Sequence, residues 1–250
     1  MPDLVLTKIT DGCATVTMNR PEARNAISID LIEALADALR KIEGDARASP
    51  VRVLTLAGAG EAFCAGMDLE AVTSDRSGTR RMLRGLSRLM RQIRSLTIPT
   101  IARVQGAAIG GGCGLMVVTD FAVTHPQAKI GYPEVSLGVC PAVVAPWLMR
   151  KIGSGRARAM LLAGQTVNGR QAFELGLATH LTRRDRVDAE TAALAARLGE
   201  DSPPALAATK RWLNELEGPL DDEVIDKGAD LSAEVAAGAE ARARLRSRRG

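Results

Sequence analysis

Chemistry in this chain concentrates in Ala107-Ala108-Ile109-Gly110-Gly111-Gly112-Cys113-Gly114-Leu115 and, twenty positions after Gly114, in Pro133-Glu134. Three successive glycines leave the main-chain N–H groups open to a ligand, because no Cβ atoms stand in the way. The apolar run that follows reads as a helix. It puts those donors at a helix N-terminus, where unpaired N–H groups and the helix dipole favour a developing negative charge. Glu134 is the one acid between Asp120 and Glu174. An anion-stabilising backbone with one isolated carboxylate suits proton transfer beside a carbonyl. A second junction of small residues, Ala65-Gly66-Met67, also follows a strand and precedes a helix. If the sheet brings the two junctions together, each offers one N–H to a single oxygen. Read singly, each glycine cluster is also compatible with a plain tight turn.

Other residues read more simply. Cys13, Cys64, Cys113 and Cys140 form no CxxC pair and no zinc-ligand spacing with His125 or His180, so they read as packing thiols and no metal site is expected. His125, before Pro126, reads as a surface loop histidine, and Arg20 as a solvated loop charge.

The elements that position these groups follow from pattern. Leu4–Thr10 and Ala14–Asn19 are β-rich runs joined by Asp11-Gly12, a hairpin signal. Ser28 caps a helix from Ile29 to about Glu43, with Leu31, Leu35, Leu39 and Ile42 on one face. Strands are expected at Val51–Ala57, Thr100–Gln105, Phe121–Thr124 and Leu177–Thr182, and helices at Ser77–Leu96, Val143–Ile152, Arg156–Ala163 and Gly169–Leu175. Asn168 and Gln171 have capping-box spacing. From Val187 onward the pattern is helical, with Ser202-Pro203 opening one helix and Asp221 to the C-terminus forming the last. Strands alternating with helices, then helices alone, indicate an α/β chain: residues 1–195 as the core and 196–250 as a C-terminal helical subdomain.

At 250 residues, 46% hydrophobic and 25% charged, the chain suits one soluble core. Two Trp, one Tyr and three Phe are too few to build base-stacking platforms, and a net charge of +4 alone identifies no partner. No apolar run is long enough to span a membrane and no secretory signal is visible, so a cytoplasmic location is expected.

Taken in order, the motifs resemble the crotonase (enoyl-CoA hydratase/isomerase) superfamily. Asn19 through Ala26 resembles its substrate loop, Ala62 through Leu69 its F-x-A-G-x-D-L element, Gly106 through Gly112 its second oxyanion element, and Gly131 through Glu134 its catalytic segment. The resemblance runs from Leu4 to about residue 215. It implies a spiral of ββα turns forming two sheets, with C-terminal helices for trimer assembly, as a homotrimer or homohexamer. It further implies an unsaturated acyl-CoA substrate, with coenzyme A entering as part of the substrate and no separate cofactor. Glu134 would be the acid/base, and the N–H groups of Met67 and Gly111 the oxyanion hole. Arg24, Ala26, Ala65, Asp68, Leu69 and Tyr132 would bind substrate or coenzyme A. Asp68 also fits a role in bracing the following turn, and Tyr132 one in packing. Lys210-Arg211 is where relatives place a cation near the coenzyme A phosphates.

One departure stands out. Two-carboxylate hydratases of the superfamily carry a glutamate where this chain has Gly114. A single glutamate suffices to shift a double bond from a 3-enoyl to a 2-enoyl thioester. Hydration then requires it to shuttle the water's proton as well. The segment Pro133 through Pro146 resembles the branch of methylglutaconyl-CoA and isohexenylglutaconyl-CoA hydratases, pointing to branched, carboxylated substrates of fatty-acid or leucine breakdown. A basic residue should then meet the extra carboxylate. The Arg-rich helix (Arg80, Arg81, Arg84, Arg88) stands where the family places its acyl-pocket wall, although a solvated face is the favoured reading of such a charge run. A non-catalytic acyl-CoA or RNA binder on the same fold is the alternative suggested by Arg242, Arg244, Arg246, Arg248 and Arg249.

Overall fold

The hairpin sets the first edge. In this computed structural model, which describes residues 3–44, 51–68, 76–218 and 222–247, strand β1 (Val5–Thr10) pairs antiparallel with β2 (Cys13–Met18) from Val5↔Met18 to Thr10↔Cys13. The two-residue turn has positive φ at both Asp11 and Gly12, the geometry whose twist matches paired strands. After α1 (Ile29–Gly44) the chain enters β3 (Val53–Gly58), which is buried at every position. Helix α2 (Arg76–Ser95) leads to β4 (Thr100–Val104), and β6 (Phe121–Thr124) and β9 (His180–Leu181) complete a six-stranded sheet ordered β1-β2-β3-β4-β6-β9. All pairs beyond β2 are parallel, and continuous apolar strands such as β3 mark a sheet covered on both faces.

Helices cover those faces for reasons written in their periodicity. Leu31, Leu35, Leu39 and Ile42 of α1 and Met82, Leu86, Leu89, Met90 and Ile93 of α2 join one core with β2 and β3. On the other face, α7 (Val187–Glu200) places Val187, Leu194, Ala195 and Leu198 against Val53, Ile101 and Val123. Ser28 Oγ accepts from Leu31 N (3.2 Å), so the expected cap is in place. So is the reciprocal capping box of Asn168 and Gln171 that opens α6 (Gly169–Leu175).

The second sheet that the resemblance implies is three-stranded, built of β5 (Ala108–Ile109), β7 (Lys129–Gly131) and β8 (Thr166–Asn168) in the order β5-β7-β8; none of these strands is legible from the residue pattern. Strands of two or three residues are too short to show a period. The first of these leads straight into α3 (Gly111–Val117). Helices α4 (Ala145–Ile152) and α5 (Ser154–Ala163) follow β7. The C-terminal region holds α8 (Pro203–Leu216), α9 (Asp222–Ala236) and α10 (Ala239–Ser247). The single last helix expected from Asp221, itself outside the described residues, is therefore two helices parted at Gly238. Ser202 precedes α8 but makes no side-chain cap bond; Pro203 alone fixes its start.

Candidate active site

Three backbone segments are laced together at the heart of the site. Ala65 N donates to Arg24 O (3.0 Å), Ile27 N to Gly66 O (2.7 Å) and Asp68 N to Ile27 O (2.9 Å). On the opposite edge, Cys64 N donates to Ala107 O (2.9 Å) and Ile109 N to Cys64 O (3.0 Å). In the parallel bridge Ile27↔Met67, the groups used on this loop are the carbonyl of Gly66 and the N–H of Asp68. The N–H of Met67 itself takes no part in that bridge. Gly66 makes the kink, with φ +95°, and a Cβ there would stand 2.9 Å from Ile109 O. No side chain fits.

Asn25 is the residue that pattern reading missed. It is fully buried with φ 56°, a left-handed conformation that asparagine tolerates. Its amide donates to Ala59 O (2.9 Å), Ala62 O (2.9 Å) and Phe63 O (3.2 Å), and its Oδ1 accepts from Arg20 N (3.0 Å). Its signal in the sequence was only a polar residue in a polar loop. Arg20 corrects another expectation. It is half-buried, donating from Nη1 to Ala26 O (2.7 Å) and from Nη2 to Asp68 Oδ2 (3.2 Å). Asp68 therefore braces the substrate loop, and Ala26 offers its carbonyl to that brace.

The glycine run meets this assembly at Gly111. A Cβ on Gly111 would lie 2.9 Å from Leu86 Cδ2, 3.0 Å from Ile27 Cδ1 and 4.0 Å from Met67 Cγ, so the two small-residue junctions are neighbours. Gly110 takes φ +55° and donates its N–H to Gly131 O (2.8 Å). Gly111, Gly112 and Cys113 supply the first-turn N–H groups of α3, which have no acceptor within the helix. Glu134 completes the site from the strand beside β5, following β7 at the start of a 3-10 turn, Glu134–Leu137. A Cβ on Gly110 would be 2.9 Å from Glu134 Oε1 and 3.4 Å from Cδ. The carboxyl group therefore rests against bare backbone. It is buried, and its Oε2 has no hydrogen-bond partner. Burial pushes its pKa up to about 7, against a smaller lowering by a backbone hydrogen bond.

Residues 8–243 match the family described as Enoyl-CoA hydratase/isomerase. The chain belongs to this family. It is 34% identical over 216 residues to an enoyl-CoA isomerase/hydratase of Zymoseptoria tritici, covering 80% of this chain and 71% of that one. It is 31% identical over 225 residues to a crotonyl-CoA hydratase of Syntrophomonas wolfei, covering 89% and 84%. A crystal structure of an enoyl-CoA hydratase from Mycobacterium avium superposes with a TM-score of 0.87 at 31% identity, over 99% of this chain and 96% of that one.

Within this enoyl-CoA hydratase/isomerase framework, Gly114 is closed off. A Cβ there would run into Met90 Cε and would stand 2.8 Å from Val144 Cγ1. Tyr132 is fully buried, and its hydroxyl lies beside the Cys113 thiol without a partner at hydrogen-bond geometry. Burial pushes both the Cys64 and Cys113 thiols up to about 12, which leaves them protonated and unreactive near neutrality.

Two further expectations are corrected. His125 is not a surface histidine: it is buried, with Nε2 3.0 Å from Gln105 O and Nδ1 3.1 Å from Gln127 Oε1. Lys210 is not free for a phosphate. Its Nζ is spent on Ile98 O (2.9 Å) and Asp120 Oδ2 (2.7 Å) in a part-buried pair. Leu69, Arg248 and Arg249 lie outside the described residues. No group of three or more His, Cys, Asp or Glu among the described residues is arranged to hold a metal ion, and no helix there is long and apolar enough to cross a membrane.

Proposed function

We propose that this protein is an enoyl-CoA hydratase-type enzyme that forms an enolate of an unsaturated acyl-CoA thioester, with Glu134 as its sole acid/base. The observation that carries this reading is the unpartnered, buried Oε2 of Glu134, held over Gly110 beside the meeting point of Met67 and Gly111. In this reading the N–H groups of Met67 and Gly111 bind the thioester oxygen as it becomes an oxyanion, each contributing about 3–4 kcal/mol to the transition state. In hydration, the carboxylate takes a proton from water, the water oxygen bonds to C3, and the same proton passes to C2. Arg24, Ala26, Ala65 and Asp68 bound the coenzyme A groove, and the substrate class is a branched, carboxylated enoyl thioester.

A second reading is favoured by the closure of Gly114. Met90 and Val144 fill the space a second carboxylate at Gly114 would need, so that position offers no group to hold the attacking water. Moving a double bond needs only one base: Glu134 removes the C2 proton, the oxyanion hole holds the dienolate, and the proton returns at C4. Comparing hydration of 2-enoyl thioesters with isomerisation of 3-enoyl thioesters separates the two. Glu134→Gln is expected to lower kcat in either by about two to four orders of magnitude; near wild-type turnover would make the assignment wrong.

The same reading includes a homotrimer or a pair of stacked trimers, no cofactor beyond the coenzyme A of the substrate, and a cytoplasmic setting. Trp212, Leu213 and Leu216 on α8 support the assembly, since they expose more than half of their surface in the isolated chain.

A further inference from the structure

Among the described residues no other side chain holds the carboxyl group of Glu134. Its Oε2 has no partner, and the hydrogen bond that bears on its ionisation comes from its own backbone. Its placement over Gly110 is therefore inherited from the turn that carries it. That turn closes on itself: Val139 N donates to Glu134 O (2.9 Å), Gly138 N to Val135 O (3.1 Å) and Ser136 Oγ to Pro133 O (2.7 Å). These bonds give the turn its shape and leave its position to whatever packs against it.

The C-terminal helices supply that packing. Ser232 of α9, 1% exposed, uses its hydroxyl twice: Oγ donates to Cys140 O (2.7 Å) and accepts from Ala142 N (3.2 Å). One helical turn earlier, a Cβ on Gly228 would stand 3.1 Å from Ala142 O. Helix α10 lies directly on the end of the turn. Gly138 is left-handed at φ +73°, and a Cβ there would stand 2.9 Å from Ala241 Cα. Arg244 Nη1 donates to Ser136 O (3.3 Å). Helix α9 is itself pinned to α2, because Asp230 accepts from Arg84 Nε (3.1 Å) and Nη2 (2.8 Å) and pairs with Arg80 at 3.3 Å. Part of the arginine run of α2 is thus spent on the C-terminal helices and not on solvent.

We propose that Ser232 is a positioning residue for Glu134. Its bridge across Cys140 and Ala142 fixes the exit of the 134–139 turn, and this holds the carboxyl group against Gly110 and away from water. The assignment rests on the reading of Glu134 as the acid/base. It gives the inward face of the C-terminal helices a part in the chemistry, apart from any part in assembly.

The other titratable groups facing Glu134 are the Tyr132 hydroxyl, the Cys113 thiol of α3 and the Cys140 thiol, each raised by burial and uncharged near neutrality. The charged group that α10 brings to the turn is Arg244, at the carbonyl of Ser136. With no fixed charge among the first three, the ionisation of Glu134 reports how dry the turn keeps it.

Ser232→Ala in the full chain removes the bridge while keeping a small side chain. On whichever enoyl thioester the wild type turns over, kcat is expected to fall about tenfold with KM within about twofold. The acid limb of kcat/KM should move down by about one pH unit as water reaches the carboxyl group. Both changes are required. A variant that melts lower but keeps either kcat or the acid limb at its wild-type value makes Ser232 merely structural and overturns the inference. Gly228→Ala carries the same test should Ser232→Ala fail to fold. Alanine is the better helix former, so α9 persists while its new Cβ presses on Ala142 O; a fall in kcat of about threefold with the same movement of the limb is expected.

A second readout does not depend on turnover. Thermal melts of Glu134→Gln against its parent, in the wild-type and in the Ser232→Ala backgrounds, isolate the stability that Glu134 loses between pH 4.5 and about 7. That difference should shrink in the Ser232→Ala background. If Glu134→Gln keeps near wild-type turnover, the catalytic assignment fails while the melts still test the placement. If Glu134→Gln is inactive but Ser232→Ala leaves the limb and the melts unchanged, the role of Ser232 fails alone.

Discussion

Glu134 sits where ionisation is costly, and that cost has a sign. Its folded pKa of about 7 stands above the 4.5 of an unperturbed glutamate, so between these values the folded chain holds a proton that the unfolded chain has released. Stability from this group is complete below about pH 4.5 and is lost as pH rises toward 7, by about 3 kcal/mol across the window. Glu134→Gln has no charge to bury. Its melting temperature should therefore exceed that of wild type by several degrees at pH 8 and match it near pH 4.5, as read by thermal melts across pH. The same carboxylate must be ionised to act as a base. The acid limb of kcat/KM should then fall near pH 7 in the wild type; a limb near 4.5 would mean that the working group is a solvated carboxylate instead.

At the scale of elements, the candidate site is a set of loops held together by buried side chains. Asn25 ties the substrate loop to three carbonyls between Ala59 and Phe63. Asn25→Ala strands those buried acceptors and loses the tolerance for left-handed φ. It should destabilise the protein by about 3 kcal/mol or more and raise KM more than it lowers kcat, as a denaturant titration and steady-state kinetics would show. Helix α3 supplies a second case. Because Met90 and Val144 occupy the space beside Gly114, Gly114→Glu alone should destabilise the fold and add no hydratase activity. Pairing it with Met90→Ala makes room, and hydration of a 2-enoyl thioester should rise relative to the single variant. An unchanged rate in the double variant would show that the second carboxylate needs more than space.

For the whole molecule, the six-stranded sheet and the small β5-β7-β8 sheet are joined where the loop after β3 bridges to β5 at Cys64↔Ala108. Behind them lies a charge network that anchors the C-terminal helices. Asp120 accepts from Thr100 N and Oγ1 (both 2.8 Å), from Lys210 (2.7 Å) and from Arg94 (3.5 Å), while Arg94 also reaches Glu217 (2.7 Å). This network fixes α8 so that Trp212, Leu213 and Leu216 project outward. Trimer assembly is expected to cover them. Light scattering should give a trimer or hexamer for the wild type and a shift toward monomer for Trp212→Asp. A monomeric wild type would remove that part of the reading.

Much of this was legible before any coordinates. The Asp11-Gly12 turn, the α1 face and the capping box at Asn168 are local, and local chemistry decides them: two-residue turns, 3.6-residue periods, side chains reaching their own backbone; the ordered motifs from Asn19 to Glu134 were legible through their resemblance to the family. The strands β5, β7 and β8 are too short to carry a period, and they form because distant segments supply their partners. The same holds for Arg20 on Asp68, His125 in the interior, Lys210 on Asp120 and Asn25 across three carbonyls, where a polar residue in a polar stretch reads the same whether it meets water or a buried partner. Gly114 shows the division most clearly. Set beside the two-carboxylate hydratases it resembles, its position lacks a carboxylate, but only packing shows that Met90 and Val144 have taken the room, because a void in a close-packed interior is filled by neighbours distant in the chain.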